Sequence, residues 1–468
     1  MGKNTSPFLI IVILVLGLGL RLINIHQSFW LDEASQAQLA SPSLSQIWSG
    51  RGGDFHPPLF YFLAHFWLQF SRSEIWLRLL PISFGLANIW LIYIFARQLF
   101  PGQNLKLKNW SFNNGHLASM LLALSPFHIY YSQEFRMYSL LALLGTLAMY
   151  LLVSRRYLWL SIVNALLLYT HYSSIFLILA QTVYVILYAR RDLKLFTIHY
   201  LLLTIYYIPW LPQFARQLGS GLNIDNYLPG WRQVLSISPV KAFPVIFFKL
   251  VAGRISFISK YLYGLYITFV FAVTFTALAV TRIKKHLLFI WVFVPIFSLL
   301  FTSLVLPQNQ PFRVIFVLPG LIILFASACF RYPKLFLTLI LYIFLVGDIA
   351  YFTRPRLQRE QWRQAIGFLS GQPGITLVKF SDKFAPFYWY SPDYRVIPAV
   401  SVYPARKAAV TDSLSAQSLP SQIFLLQYLT ELTDPDLLVD SVIKKLGYRQ
   451  TRIYNFEGVG FIYQYKRI

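Results

Sequence analysis

The chain has 468 residues, 57% of them hydrophobic and 12% charged, with 41 Lys and Arg against 17 Asp and Glu. A mean hydropathy of +0.55 is too apolar for a soluble fold, whose outside must be polar, so the expected class is an all-α polytopic membrane protein. The net charge of +24 does not point to nucleic acid, because the Lys and Arg stand in short clusters between apolar runs, where they act as orientation signals. The single Cys329 leaves no disulfide framework and no Cys-based metal site.

In chain order, apolar runs fall at about 7–25, 79–98, 116–131, 137–153, 157–170, 173–189, 195–212, 260–281, 287–306, 312–330 and 335–352. They predict about 11 transmembrane helices, the shorter ones borrowing interfacial residues at their ends. The first run lacks a small-residue cleavage site and reads as an uncleaved span. "HPPLFYFLAHFWLQF" (56–70) is short and aromatic, which predicts a juxtamembrane helix with Pro57 and Pro58 at its start.

Threading these spans puts Lys3, Arg97/Lys106/Lys108, Arg155/Arg156, Arg190/Arg191/Lys194, Arg282/Lys284/Lys285 and Arg331/Lys334 on one side. That side is cytoplasmic, with the N-terminus, in a plasma (inner) membrane protein. The opposite segments carry Asp32, Glu33, Asp54, Glu74, Glu134 and Asp225. The character of the chain changes after about position 353, beyond which lie 9 of the 17 acidic residues. The expected division is therefore a transmembrane domain, 1–353, and a small extracytoplasmic α/β domain, 354–468. Its expected elements are a helix at 360–370, strands at 375–380 and 422–429, a helix at 434–447 begun by a capping Asp and ended at Gly447, and two strands around "NFEG".

Five short stretches carry chemistry. "FWLDEASQAQLA" sets Asp32 beside Glu33 just past the first span, where ionisable groups are functional by default; Asp32 also suits the N-cap of the following helix. In "GDFHPPLFYF", either Asp54 caps that helix and His56 is interfacial, or both line a cavity. "YYSQEFRMYSLL" packs Gln133, Glu134, Arg136 and Tyr138 into one outer turn; Glu134 and Arg136 can pair across it, or the Arg136 fork can meet a phosphate. "YTHYSS" brings His171 and Tyr172 to the next outer turn, and "LPQNQPFRVIF" sets Arg313 at an outer mouth against the usual bias, as a snorkelling anchor or a ligand for an anion.

All five fall on one membrane face and so describe an outward-facing cavity with acidic and Arg residues. A carboxylate opposite arginines suits group transfer from a phosphate-linked, lipid-anchored donor. The carboxylate takes the acceptor hydroxyl's proton while the cations stabilise charge on the departing phosphate. Phosphate leaves without a second carboxylic acid, and a single attack inverts the anomeric centre.

Together "W-x-D-E-A", "H-P-P-L" and "S-Q-E-x-R-M-Y-S-L", in this order, resemble the membrane glycosyltransferases of the GT-C fold. The resemblance is to the family 39 group, related to protein O-mannosyltransferases and the lipid A aminoarabinose transferase. It implies a polyprenyl-phosphate sugar donor, built on undecaprenyl phosphate in a bacterium, and a lipid, glycan or protein acceptor on the extracytoplasmic face. It also implies Asp32 as base with Glu33 orienting the acceptor or the aspartate, Arg136 and Arg313 near the donor phosphate, and His56 at the cavity rim. Glu134 stands where some relatives have an aspartate, and no β-trefoil repeats follow. Asp32 and Glu33 with one further carboxylate would suffice for Mg²⁺ or Mn²⁺, though nothing in the sequence requires a cofactor.

Two other classes compete. A transporter or flippase of lipid-linked sugars would place charge within the spans and show inverted repeats, whereas these spans read as nearly free of charge. A receptor or scaffold working through the C-terminal domain would leave the outer carboxylates idle. Within that domain "DKFAPFYWYSPDY" (382–394) is aromatic enough to seat it on the membrane or to stack on sugar rings.

Overall fold

A computed structural model describes residues 6–50, 55–107, 110–224, 234–257, 259–281 and 285–468. The chain divides into two compact units. The first holds Met1–Ile25, Leu44–Leu218 and Leu235–Leu357; the second holds His26–Ser43, the described part of Gly219–Val234, and Gln358–Ile468.

The first unit is helical, and every apolar run of the sequence forms a helix in it. Among the described residues, five helices are long and apolar enough to cross a membrane by length and composition: Glu74–Leu99, Arg190–Leu222, Lys260–Val280, Pro311–Arg331 and Pro333–Thr353. The shorter apolar helices include Phe8–Leu22, Tyr138–Val153, Tyr157–Thr170 and Tyr172–Tyr188. The run at 116–131 is two helices, Asn114–Ala123 and Pro126–Ser132, because the Ser125 side chain accepts from His128 N and Pro126 takes the first helical position. The juxtamembrane helix is Leu59–Leu68, with Pro58 as its N-cap. One helix escapes the hydropathy reading, Pro239–Ala252, because Lys241, Pro244 and Lys249 interrupt a face that buries Ile246, Phe247, Leu250 and Val251. A hairpin of β1 (Asn104–Leu107) and β2 (Trp110–Asn113) joins two of the helices.

The spans are less free of charge than their sequence suggests. Arg21, Arg78 and Asp348 are all buried in the bundle. Arg21 donates to the carbonyls of Gly17 (2.8 Å) and Ala123 (3.1 Å) and to His128 Nδ1 (2.6 Å). One guanidinium thus ties three helices together, as polar groups do where water is absent. Arg21 and Asp348 both lie near the C-terminal ends of their helices, Ser6–Leu22 and Pro333–Thr353, rather than at mid-span.

The second unit is α/β, built on a five-stranded sheet in the order β4–β3–β5–β7–β6. β3 (Ile375–Val378), β4 (Val396–Pro398) and β5 (Gln422–Leu426) are parallel; β7 (Gly460–Arg467) runs antiparallel to β5 and to β6 (Tyr448–Phe456). Alternation along β5 explains its unbroken apolar run. Ile423 and Leu425 pack with Val410, Val439 and Ile443 on one face, while Phe424 and Leu426 pack with Trp362, Ile366 and Phe387 on the other. The helix expected at 434–447 is the shorter Leu438–Lys445, and the Asp434 carboxylate accepts from the amides of Leu438 (2.7 Å) and Val439 (3.2 Å).

One expectation is corrected here. Asp32 is not an N-cap: the helix runs Leu31–Ala40 behind Trp30, so Asp32 and Glu33 lie inside its first turn. The aromatic stretch 382–394 is partly internal, while Tyr388, Trp389 and Tyr394 keep partial exposure. Phe384 and Phe387 are buried in the core, and Tyr390 Oη accepts from Phe29 N at 2.6 Å.

Candidate active site

In the first unit, three turns and one short 3-10 segment bring cationic and aromatic side chains together. The turn before Tyr138–Val153 is tight, with Arg136 N donating to the Glu134 carbonyl at 2.6 Å. It carries a buried Arg136, whose guanidinium lies 3.4 Å from Tyr138 Oη and 5.7 Å from that ring's centroid. The 3-10 segment Pro311–Val317 presents Phe312 to Tyr138 (ring centroids 4.9 Å) and carries Arg313, which donates to the Pro307 carbonyl at 3.3 Å. Its close approach depends on Gly145, where a Cβ would fall 2.6 Å from Phe316 Cβ.

His171 sits at the centre of this corner. It ends helix Tyr157–Thr170 in extended conformation, and its Nδ1 accepts from Ser173 N at 3.1 Å, while the Ser173 hydroxyl donates to the Arg313 carbonyl. With Nδ1 accepting, the neutral ring carries its proton on Nε2. Its ring lies 5.6 Å from His56 and 6.5 Å from Tyr138. Burial, followed by the charges of His56, Arg313 and Arg136, pushes the His171 pKa well below the usual imidazole value. At neutral pH the corner therefore holds two guanidiniums and an uncharged N–H donor, a set suited to an anion.

The other expected first-unit residues take different places. Tyr172 is a strut: its hydroxyl donates to Gln217 Oε1 and accepts from Trp210 Nε1 (2.9 Å), while Gln217 Nε2 donates to the His56 carbonyl (3.4 Å). Gln133 is also structural, donating to the carbonyls of Arg21 (2.9 Å) and Ile23 (2.6 Å) and accepting from Tyr351 Oη (2.8 Å). Glu134 is buried and acts electrostatically on Tyr131, as does Arg254. Asp54 lies outside the described residues.

Arg254 is a cation that the sequence reading passed over. Its guanidinium donates to Tyr130 Oη and lies 4.7 Å from that ring's centroid. Only its position at the end of an unrecognised helix could have revealed it.

Asp32 and Glu33 belong to the second unit, where helix Leu31–Ala40 packs with the C-terminal elements. Glu33 is fully buried, whereas Asp32 keeps partial exposure. Glu360, also missed from sequence, lies close enough for Asp32 to act on it electrostatically; burial holds its carboxyl above the ordinary range, against the pull of its three hydrogen-bond donors. Among the described residues no group of three or more His, Cys, Asp or Glu is arranged to hold a metal ion.

No family model matches the chain, and no curated protein is similar enough in sequence to match. Solved structures do match. The chain is similar to ArnT from Cupriavidus metallidurans bound to undecaprenyl phosphate, with a TM-score of 0.57 at 13% identity over 99% of this chain and 98% of that one. The apo state of the same protein gives 0.58 at 12% identity with equal coverage. At such identity the likeness is one of fold, and it spans nearly the whole of both chains.

Proposed function

We propose that the protein is an inverting glycosyltransferase that moves a sugar from a polyprenyl-phosphate carrier to a hydroxyl acceptor on the extracytoplasmic membrane face. The observation that carries this reading is the corner of Arg136, Arg313 and neutral His171, in which the charges bearing on the imidazole are all cationic. ArnT was captured with undecaprenyl phosphate, and a phosphate monoester on a lipid is the anion this corner suits.

Asp32 accepts the proton of the acceptor hydroxyl as that oxygen bonds to the anomeric carbon. The bond from that carbon to the phosphate oxygen breaks, and the electron pair leaves on the carrier phosphate, where Arg136 and Arg313 stabilise it. Buried Glu33 supports the turn that carries Asp32 and does not meet the acceptor itself. His56 and Tyr138 flank the phosphate. Sugar and acceptor follow from contacts beyond these residues.

The test uses purified protein in lipid with radiolabelled polyprenyl-phosphate sugars. Asp32→Asn should bind a donor as the wild type does yet turn over at least about a hundredfold more slowly, the mark of a lost transition-state interaction. Arg136→Gln should weaken carrier binding by about tenfold to a hundredfold, as for a hydrogen bond to a charged group. Equal turnover by wild type and Asp32→Asn removes Asp32 as base. Binding of labelled carrier without consumption by either form would favour a transporter of lipid-linked sugars instead.

A further inference from the structure

We infer that Glu360 is a positioning residue that fixes the helix bearing Asp32, which gives the C-terminal domain a task in catalysis. The inference rests on the reading of Asp32 as base. Helix Leu31–Ala40 begins without a cap of its own: Trp30, its N-cap residue, makes no side-chain cap hydrogen bond, and an indole has no acceptor to offer. The first N–H groups of a helix need partners from elsewhere. Leu31 N donates to Glu360 Oε2 at 3.0 Å, across 329 positions of sequence.

The Glu360 carboxylate is itself held in place. Trp362 Nε1 donates to Oε2 at 2.6 Å and Tyr428 Oη to Oε1 at 3.1 Å. The main chain is stitched to the same segment: the Ser28 hydroxyl donates to the Glu360 carbonyl, and Arg359 N donates to Gln27 Oε1 at 3.0 Å. The turn between β6 and β7 closes directly on Glu360. A Cβ at Gly458, whose φ is +79°, would stand 2.9 Å from Glu360 Cα and Cγ, so only glycine fits that approach.

Leu31 completes the attachment by packing on the core of Trp362, Phe387 and Leu426. A carboxylate at a helix N-terminus also gains from the helix dipole. The first turn, and Asp32 with it, is thereby held by the sheet domain through one charged hydrogen bond and one apolar contact. The chemistry asks for such a hold, because displacing a reacting group by about 1 Å costs about a hundredfold in rate.

The experiment uses the full chain in lipid with Glu360→Ala, Glu360→Gln and Asp32→Asn. Hydrogen exchange at the amides of 31–36 should quicken about tenfold in Glu360→Ala, the equivalent of one lost hydrogen bond to a charged group, while the amides of β5 stay protected. Glu360→Gln keeps an acceptor for Leu31 N and should restore most of the protection. Turnover in Glu360→Ala should fall by about a hundredfold at unchanged donor affinity, with Glu360→Gln recovering most of it. Unchanged exchange at 31–36 in Glu360→Ala, with Asp32→Asn inactive, overturns the role of Glu360 alone. Loss of β5 protection in step with activity would reduce Glu360 to a folding residue and also overturn it. Full activity in Asp32→Asn overturns the base reading, and the positioning role falls with it.

Discussion

The arginine corner of the first unit and the Asp32 helix of the second solve the same problem, holding charge still, by opposite means. Arg136, His171 and Arg313 stand at the ends of helices, and each is fixed by partners within a few positions: Tyr138, Ser173 and Pro307. Asp32 sits in a helix whose first amide is satisfied by Glu360, and whose approach is pinned by Tyr390 through Phe29 N. Support from within the helical unit, including the Ser173 hydroxyl on the Arg313 carbonyl, keeps the corner's geometry as long as that unit is packed. Remote support makes Asp32 depend on the folding of a whole second unit.

The comparison breaks most sharply at Lys379. Its ammonium is fully buried and donates to Gln427 Oε1 (2.8 Å) and Asp440 Oδ2 (2.6 Å), with Asp434 Oδ2 at 3.1 Å. Lys379→Met leaves two carboxylates in the sheet domain without their cation, a change that costs about 3–5 kcal/mol. Hydrogen exchange through β3 and β5 should accelerate and turnover should disappear. Carrier binding, proposed for the first-unit corner, should survive. Loss of carrier binding as well would show that the two units are one cooperative whole.

The converse change is Gly145→Val. Its side chain would overlap Phe316, three residues from Arg313 in the same 3-10 segment. Overpacking of this kind costs about 1–3 kcal/mol, and relief by shifting 311–317 would carry Arg313 out of the corner. Donor affinity should fall while exchange at 31–36 remains that of wild type. Equal loss of protection at 31–36 would contradict a corner that stands on local support.

The same contrast decides what could be read in advance. Hydropathy locates the spans and hence the turns between them, so Arg136, His171 and Arg313 are legible as polar residues at predicted mouths, and the structure draws them together. The sheet domain is legible through its apolar β3 and β5. Helix Pro239–Ala252 is not, because its polar face dilutes its apolar one, and Arg254 is lost with it. Glu360 is invisible for a different reason: nothing around it signals that its carboxylate belongs to a helix 329 positions earlier. That Tyr172 and Gln133 brace neighbouring segments is not legible, because a polar side chain in an outer turn looks the same in sequence whether it meets a ligand or braces a helix.

The smallest expected effect tests whether the corner's neutral imidazole is real, through pH. A histidine titrates near 6.5 when unfolded, and His171 in the folded protein does so well below that value. The unfolded chain therefore binds the proton first, and this residue's share of stability is lost as pH falls below about 6.5, not as it rises. At pH 5.5 the wild type should therefore be less stable than at pH 7.5 by this group's share. His171→Asn keeps an acceptor for Ser173 N, in the manner of a helix cap, but cannot titrate. Melting of wild type and variant should differ little at pH 7.5, and by pH 5.5 the wild type should have lost more. Parallel curves would mean that His171 takes up its proton as easily folded as unfolded. The corner would then hold a third positive charge in acid, and carrier binding should tighten as pH falls.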